Sequence, residues 1–325
     1  MIPEDFTRPR LTEARARIRD HVVRTPVTRS PALSDAMGVE VFLKHENLQT
    51  TGAFKARGAL NRLLTLSREA RARGVATISA GNHAQAVAWA ATAAGVPSVV
   101  VMPEHASPLK VERSRSYGAE VILHGDAAAA FVRVREICEQ RDLTFLHPFD
   151  DAEVVAGHAS CGLEILEDLP DVGTVVVPVG GGGLASGIAA SLSAAGSNAA
   201  LWGVEPEGAS AMHASLRAGH AVQLDSVRTV ADGLAPPMAG VLNHALLAER
   251  ARGIAVLTDA EIVQGLAHLV SSGEPIEPSG AAGVAALLAG KIPHLGVGRG
   301  GPVVVVISGG NAETTANLEL IGRFG

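Results

Sequence analysis

The chain has 325 residues, 47% hydrophobic and 18% charged, with a net charge of −6, which describes a well-buried globular protein of about two lobes. The negative balance and 3% aromatic content exclude a basic, base-stacking surface, so no nucleic-acid partner is expected. No apolar stretch reaches membrane-spanning length, and Met1-Ile2-Pro3-Glu4-Asp5 lacks the order of a signal peptide, so a cytoplasmic protein without a membrane partner is expected.

Leu11–Ile18 reads as a short helix rich in Arg and Glu, followed by an extended segment after Arg24-Thr25-Pro26. Val39–Leu43 alternates apolar and polar residues and predicts a strand. Thr50-Thr51-Gly52 then supplies cap residues and a reversal, and from Lys55 onward Ala59, Leu60, Leu63 and Leu64 recur at helical spacing. A βα alternation follows. Strands are predicted at Val75–Ser79, Ser98–Met102, Glu120–Leu123 and Leu143–Leu146, with helices at Asn82–Ala94, Pro108–Ser116 and Asp126–Arg141. A helix over Glu153–Glu167 precedes the strand Thr174–Val179, then the helix Leu184–Ala195 and the strand Leu201–Val204. Gly208–Ala251 reads as irregular, with Pro236-Pro237 opposing a central strand. Ile254–Leu257 and Val303–Ile307 are further strands, flanking the helices Asp259–Ser271 and Gly280–Leu288. Runs such as Val99-Val100-Val101 suit strands buried on both faces of a parallel sheet, and the fold class is α/β. Cys138 and Cys161 fall in predicted helices and read as reduced core thiols.

Five stretches carry candidate chemistry. Lys55 lies in the first turn of its helix among Ala53, Phe54, Ala56 and Ala59, where an ammonium is disfavoured and the free amine becomes a usable nucleophile. A surface Lys lying along an amphipathic helix is the plainer reading of such a residue. Gly180-Gly181-Gly182-Gly183-Leu184 joins a buried strand to an alanine-rich helix with no residues to spare, so it is a phosphate site at a helix N-terminus and not a linker. The same run fits a loose dinucleotide fingerprint, with Glu205 placed to grip a ribose, which leaves an NAD(P)-binding oxidoreductase as the alternative. Ser79-Ala80-Gly81-Asn82-His83 turns from strand to helix and serves equally as a cap or as a carboxylate-binding loop. Glu277-Pro278-Ser279-Gly280 is an acceptable helix start, and Ser308-Gly309-Gly310-Asn311 ends the last strong strand, the edge where α/β ligands sit. The histidines show no metal spacing, and Lys110, Arg113 and Arg115 read as a solvated helix face.

Together these stretches resemble the fold-type II pyridoxal-phosphate enzymes, specifically the serine/threonine dehydratase and serine racemase family. The motifs run in that family's order from Arg24 to Asn311, opening with Lys44-x-Glu46-Asn47-Leu48-Gln49-x-Thr51-Gly52-x-Phe54-Lys55-x-Arg57-Gly58-Ala59. The resemblance implies two open, twisted, mostly parallel sheets with the cofactor, pyridoxal 5′-phosphate, in the cleft between lobes. A large lobe of residues 1–73 and 149–325 and a small mobile lobe of 74–148 are implied. So are Lys55 carrying the cofactor as a Schiff base beside Phe54, the run Gly180, Gly181, Gly182, Gly183 and Leu184 on its phosphate, Asn82 on the ring hydroxyl, and Glu277 and Ser308 at the ring. Ser79, Ala80, Gly81, Asn82 and His83 would hold the substrate carboxylate. The implied reaction is β-elimination from a β-hydroxy amino acid such as L-threonine or L-serine, giving a 2-oxo acid and ammonia, in a homodimer or higher homo-oligomer. A non-catalytic amino-acid-binding protein on the same fold is opposed by the intact Lys55, Asn82 and Ser308.

Four departures qualify the likeness. Ala53 stands where many relatives carry Ser, Ala80 replaces the Ser that serine racemases place on the far face of the cofactor, and Gly157-His158-Ala159-Ser160 differs from the usual Gly-Gln-Gly-Thr and leaves the substrate pocket open to question. Glu205 matches the first ligand of a divalent-metal site in some relatives, but Ala211 takes the carboxylate position, so no metal is expected. No regulatory domain is expected beyond Gly325.

Overall fold

The computed structural model describes residues 6–293, 295 and 300–324; the reading of Met1–Asp5 lies outside them. The elements run α1 (Arg8–Ile18), β1 (Val27–Arg29), α2 (Pro31–Met37), β2 (Val41–Lys44), α3 (Lys55–Leu64), α4 (Arg68–Arg73), β3 (Val75–Ile78) and α5 (Asn82–Ala93). Next come β4 (Ser98–Met102), α6 (Pro108–Ser116), β5 (Glu120–Leu123), α7 (Ala127–Arg141), β6 (Thr144–Phe145), α8 (Ala152–Asp168), β7 (Thr174–Pro178) and α9 (Gly183–Ala194). The chain closes with β8 (Ala200–Pro206), α10 (Ala211–Ala218), α11 (Val241–Arg250), β9 (Ala251–Leu257), α12 (Asp259–Ser271), α13 (Pro278–Leu288), β10 (Val303–Val306) and α14 (Thr314–Phe324).

Two sheets organise these elements. One has six strands in the order β1-β2-β10-β7-β8-β9, parallel throughout except for the β1–β2 pair; the other has four, β5-β4-β3-β6, all parallel. Because β2 pairs with β10, both ends of the chain build the larger sheet and residues 75–145 form the smaller one as an insertion.

Alternation along the valine strands builds two cores at once. Val303 and Val305 join Val176 and the α12–α13 side chains on one face, while Val304 and Val306 join Val175, Val177 and α9 on the other. The smaller sheet is covered likewise, by Ala130, Val134 and Ile137 of α7 on one face and by Ala84 and Ala88 of α5 with Val111 of α6 on the other. Between the sheets, Ala59, Leu60 and Leu63 of α3 pack with Ala86, Val87 and Ala90 of α5. The helix that begins at Lys55 therefore forms the seam.

The stretch expected to be irregular, Gly208–Ala251, contains α10 and α11, with Leu246 and Leu247 of α11 buried in the core. Cys161 is buried, but Cys138 is only half-buried and so is not a core thiol. Among the described residues no helix is long and apolar enough to cross a membrane.

Candidate active site

A buried ion cluster positions the first turn of α3. Arg57, with none of its surface exposed, bonds Glu46 through Nε (2.8 Å) and Nη2 (2.8 Å) and Glu164 through Nη1 (2.7 Å) and Nη2 (2.8 Å). Lys44 Nζ donates to Glu164 Oε2 at 2.5 Å and to the Thr25 carbonyl at 2.8 Å. Burial alone would raise the pKa of Glu46, but Arg57 and Lys44 outweigh it and hold it below the ordinary carboxylate value. These charges tie β2, the turn at Glu46–Leu48, α3 and α8 together, so the α3 N-terminus has one place to be. The expected caps are absent. Thr51 takes the left-handed region at φ +67°, which a β-branched residue rarely adopts, and Phe54, at the N-cap of α3, makes no side-chain cap bond.

Lys55 has a different environment from Lys44. Its Nζ donates only to the Pro148 carbonyl, at 2.8 Å, and lies 5.0 Å from the centroid of the Phe54 ring. Burial lowers its pKa to about 8. The amine faces a cavity of about 970 Å³ between the two sheets, and every site residue expected from the sequence lines that cavity. They are Phe54, Lys55, Ser79, Ala80, Gly81, Asn82, His83, Gly180, Gly181, Gly182, Gly183, Leu184, Glu277 and Ser308.

The glycine run forms a tight cradle. Gly182 sits at φ +100° and caps α9, whose first N–H groups have no partner within the helix. A Cβ at Gly181 would lie 2.3 Å from the Phe149 ring, and one at Gly182 would lie 2.8 Å from Asn243 and Met212. Asn243 Nδ2 holds the loop from behind, donating to the Gly181 carbonyl at 2.9 Å and the Phe149 carbonyl at 3.0 Å. Bare N–H groups at the positive end of a helix form an anion site.

Opposite the cradle, Asn82 opens α5 without capping it; the plain helix-cap reading does not hold. Its Nδ2 donates to Glu277 Oε1 at 2.6 Å, and its Oδ1 accepts from Asn311 Nδ2 at 2.9 Å. Glu277 is buried, and that burial, with the nearby charge of Asp232, pushes its pKa up to about 7. Ser308 is buried at the end of β10, with a hydroxyl that reaches the Ser279 carbonyl only at 3.5 Å. His83 is 3% exposed, and among the described residues neither ring nitrogen makes a hydrogen bond of ordinary geometry; burial and the Lys55 charge hold its pKa well below the ordinary value, against the opposing pull of the Leu146 backbone.

Two expectations fail here, and one open question is answered. His158, whose effect on the pocket the sequence left open, is not among the residues that line the cavity; it is fully buried behind α3, edge-on to the Phe54 ring at 4.8 Å, and the Gly157–Ser160 stretch serves helix packing. Glu205 does not reach toward the glycine run, since its two oxygens accept the Met212 and His213 N–H groups at 2.8 and 2.7 Å and it lies outside the cavity lining. That removes the acidic residue the dinucleotide alternative requires. Of the supposed solvated face, only Arg115 is exposed; Lys110 pairs with Asp232 and lines the cavity, and Arg113 bonds Asn311. Sequence reasoning missed His147, Phe149 and residues 223–227 and 232–238 as cavity walls, for none carries a local pattern that points to a site.

Comparison with known proteins shows the family to which the chain belongs. The family model for pyridoxal-phosphate dependent enzymes matches residues 18–309. The chain belongs to that family. It is 42% identical over 315 residues to an L-threonine ammonia-lyase of Thermotoga maritima, covering 96% of this chain and 77% of that protein. Among solved structures, a maize serine racemase superposes with a TM-score of 0.91 at 32% identity, covering 98% of this chain and 97% of that one. The processed form of threonine deaminase isoform 2 from Solanum lycopersicum gives 0.89 at 32% identity, covering 100% and 96%. The cofactor of the family, pyridoxal phosphate, fits the residues present. The cradle at Gly180–Gly183 leaves no room for side chains, the α9 N-terminus favours a phosphate dianion, and Lys55 offers an amine of lowered pKa at the same cavity.

Proposed function

We propose that this enzyme eliminates the β-hydroxyl of a β-hydroxy amino acid such as L-threonine or L-serine as water, leaving an enamine that tautomerises to the imine and is hydrolysed by water to a 2-oxo acid and ammonia. The observation that carries the reading is the convergence of Lys55, the Gly180–Leu184 cradle, Asn82, Glu277 and Ser308 on one cavity. Lys55 would hold the cofactor, Gly180–Leu184 its phosphate, Asn82 and Glu277 its ring-hydroxyl edge, and Ser308 its pyridine nitrogen. Bound there, pyridoxal phosphate supplies an electron sink for the pair left at Cα.

The chain supplies position and proton transfer. Ser79, Ala80, Gly81 and His83, at the start of α5, form the loop that would take the substrate carboxylate, since helix-start N–H groups favour an anion. Lys55 Nζ, as free amine, removes the Cα proton, and its lowered pKa keeps it a usable base near neutrality. Ser308 is neutral and buried, so it need not protonate the ring nitrogen, which suits an elimination that discharges the Cα pair at once. We take residues 74–148 as a mobile lobe closing on 1–73 and 149–325 to exclude water. We also take the enzyme as a cytoplasmic homo-oligomer, in keeping with its two free cysteines.

Purified protein should be yellow, lose its colour when Lys55 is replaced by Ala, and release 2-oxo acid from threonine or serine. A coloured protein that turns over no β-hydroxy amino acid would sink the proposal. Racemisation is the competing outcome, and it needs a proton donor on the face opposite Lys55. Ala80 lines the cavity at the position where the family resemblance places the Ser of serine racemases, and it has no proton to give. A positioned donor is worth roughly 10²- to 10⁴-fold, so D-serine should form far more slowly than pyruvate, and Ala80→Ser should raise it. Chiral analysis of serine incubated with the enzyme decides; equal rates of D-serine and pyruvate would refute the Ala80 argument.

A further inference from the structure

Arg113 lies on α6, outside the cavity lining, yet it begins a directed chain of hydrogen bonds that ends in the site. Its Nη1 donates to Asn311 Oδ1 at 3.2 Å. Asn311 Nδ2 donates to the Thr51 carbonyl at 2.6 Å and to Asn82 Oδ1 at 2.9 Å. Asn82 Nδ2 then donates to Glu277 Oε1 at 2.6 Å. An amide presents one acceptor oxygen and a two-proton donor, so each link constrains the next. A guanidinium only donates and a backbone carbonyl only accepts. Arg113 and Thr51 therefore leave Asn311 one orientation, oxygen toward α6 and nitrogen inward. Facing that nitrogen, Asn82 must present its oxygen, which turns its Nδ2 toward Glu277 and the cavity.

The chain also crosses between the sheets three times, at Arg113–Asn311, Asn311–Asn82 and Asn82–Glu277. Arg113 and Asn82 belong to the elements around the smaller sheet, while Asn311, Thr51 and Glu277 belong to those around the larger one. Asn311 sits in close quarters, because a Cβ at Gly52 (φ +73°) would lie 2.4 Å from its Oδ1. Its amide is thus clamped by a charge on one side and packed backbone on the other, and the charge polarises the links beyond it.

We propose that Arg113 is a positioning residue for the cofactor site, fixing through Asn311 the orientation in which Asn82 offers its Nδ2 to the cofactor ring. The proposal rests on the reading that pyridoxal phosphate binds here with its ring hydroxyl at Asn82. It assigns a role in the site to a residue that touches neither cofactor nor substrate.

The test compares Arg113→Met, which keeps the aliphatic stem, with Arg113→Lys, which restores a donor. Pyridoxal phosphate is titrated into the cofactor-depleted full-length protein, and the visible spectrum of the reloaded enzyme is recorded. One charge-assisted bond at a half-buried site predicts roughly three- to tenfold weaker cofactor binding for Arg113→Met, with a shifted spectrum. Arg113→Lys should recover most of both. In an Asn82→Ala background Arg113→Met should add nothing, since the chain no longer reaches the site. Wild-type affinity and spectrum in Arg113→Met would overturn the proposal, as would an undiminished loss on top of Asn82→Ala. A wild-type protein that shows no visible band with pyridoxal phosphate would overturn the functional reading first, and this one with it.

Discussion

Lys44 and Lys55 are the same residue eleven positions apart, and their surroundings assign them opposite work. Lys44 Nζ meets the Glu164 carboxylate and is fully buried, so its charge is matched and it serves as structure. Lys55 Nζ meets only a carbonyl and an aromatic face, and burial brings its pKa to about 8. An ordinary lysine titrates near about 10.4, so at neutral pH the free-amine fraction of Lys55 is larger by roughly two orders of magnitude. Competitive labelling of the cofactor-free protein with acetic anhydride should show Lys55 reactivity rising with a midpoint near pH 8. A midpoint near that of the surface lysines would remove the nucleophile argument. Stability carries the same sign. Between pH 8 and about 10.4 the unfolded chain binds more protons than the folded one, so stability rises with pH there, and Lys55→Met should flatten the rise.

At the scale of elements, α3 is held by charge at its start and by apolar packing along its length. Arg57→Met would leave Glu46 without its main counter-ion while Lys44 still serves Glu164. Removing one partner of a buried ion cluster costs about 3–5 kcal/mol, and urea unfolding should show a loss of that size. A loss under about 1 kcal/mol would mean that α3 is placed by its apolar face alone. None of this cluster was legible in the sequence, for Lys44, Glu46, Arg57 and Glu164 are spread over 120 residues and share no spacing. What was legible was local. The valine strands and the helices of the small sheet follow from periods of two and 3.6, and Ser98–Met102, Pro108–Ser116 and Glu120–Leu123 fall where those periods place them. The expected site residues also converge, since strand-to-helix turns of a parallel sheet gather at one edge. α10 and α11 were missed because Pro236-Pro237 and many glycines nearby read as a break, while tertiary contacts at Met212, Leu246 and Leu247 hold those helices. His158 shows the converse. Its departure from the family's usual motif left the substrate pocket open to question, and only the fold reveals that it packs under α3.

At the scale of the whole molecule, the proposal that residues 74–148 move requires the cavity between the sheets to open for substrate and close to exclude water. The α3–α5 seam is apolar, so we propose that the motion falls at α6, where Lys110 pairs with Asp232 and both residues line the cavity. The Asp232 side chain is 60% exposed, which limits the pair to about 1 kcal/mol or less and makes it sensitive to salt. That is too little to change global stability, but a lobe equilibrium balanced within a few kcal/mol responds severalfold to it. Lys110→Met should therefore leave the unfolding midpoint within about 1 kcal/mol of wild type while raising KM and speeding amide exchange in α6. Raising ionic strength from about 0.01 M to about 1 M, which shortens the screening length from about 30 Å to about 3 Å, should raise the wild-type KM toward the variant's. The variant itself should respond little, having no pair left to screen. If Lys110→Met keeps the full salt dependence of wild type, the cavity edge is held by something other than this pair, and the assignment of α6 as the closing edge fails with it.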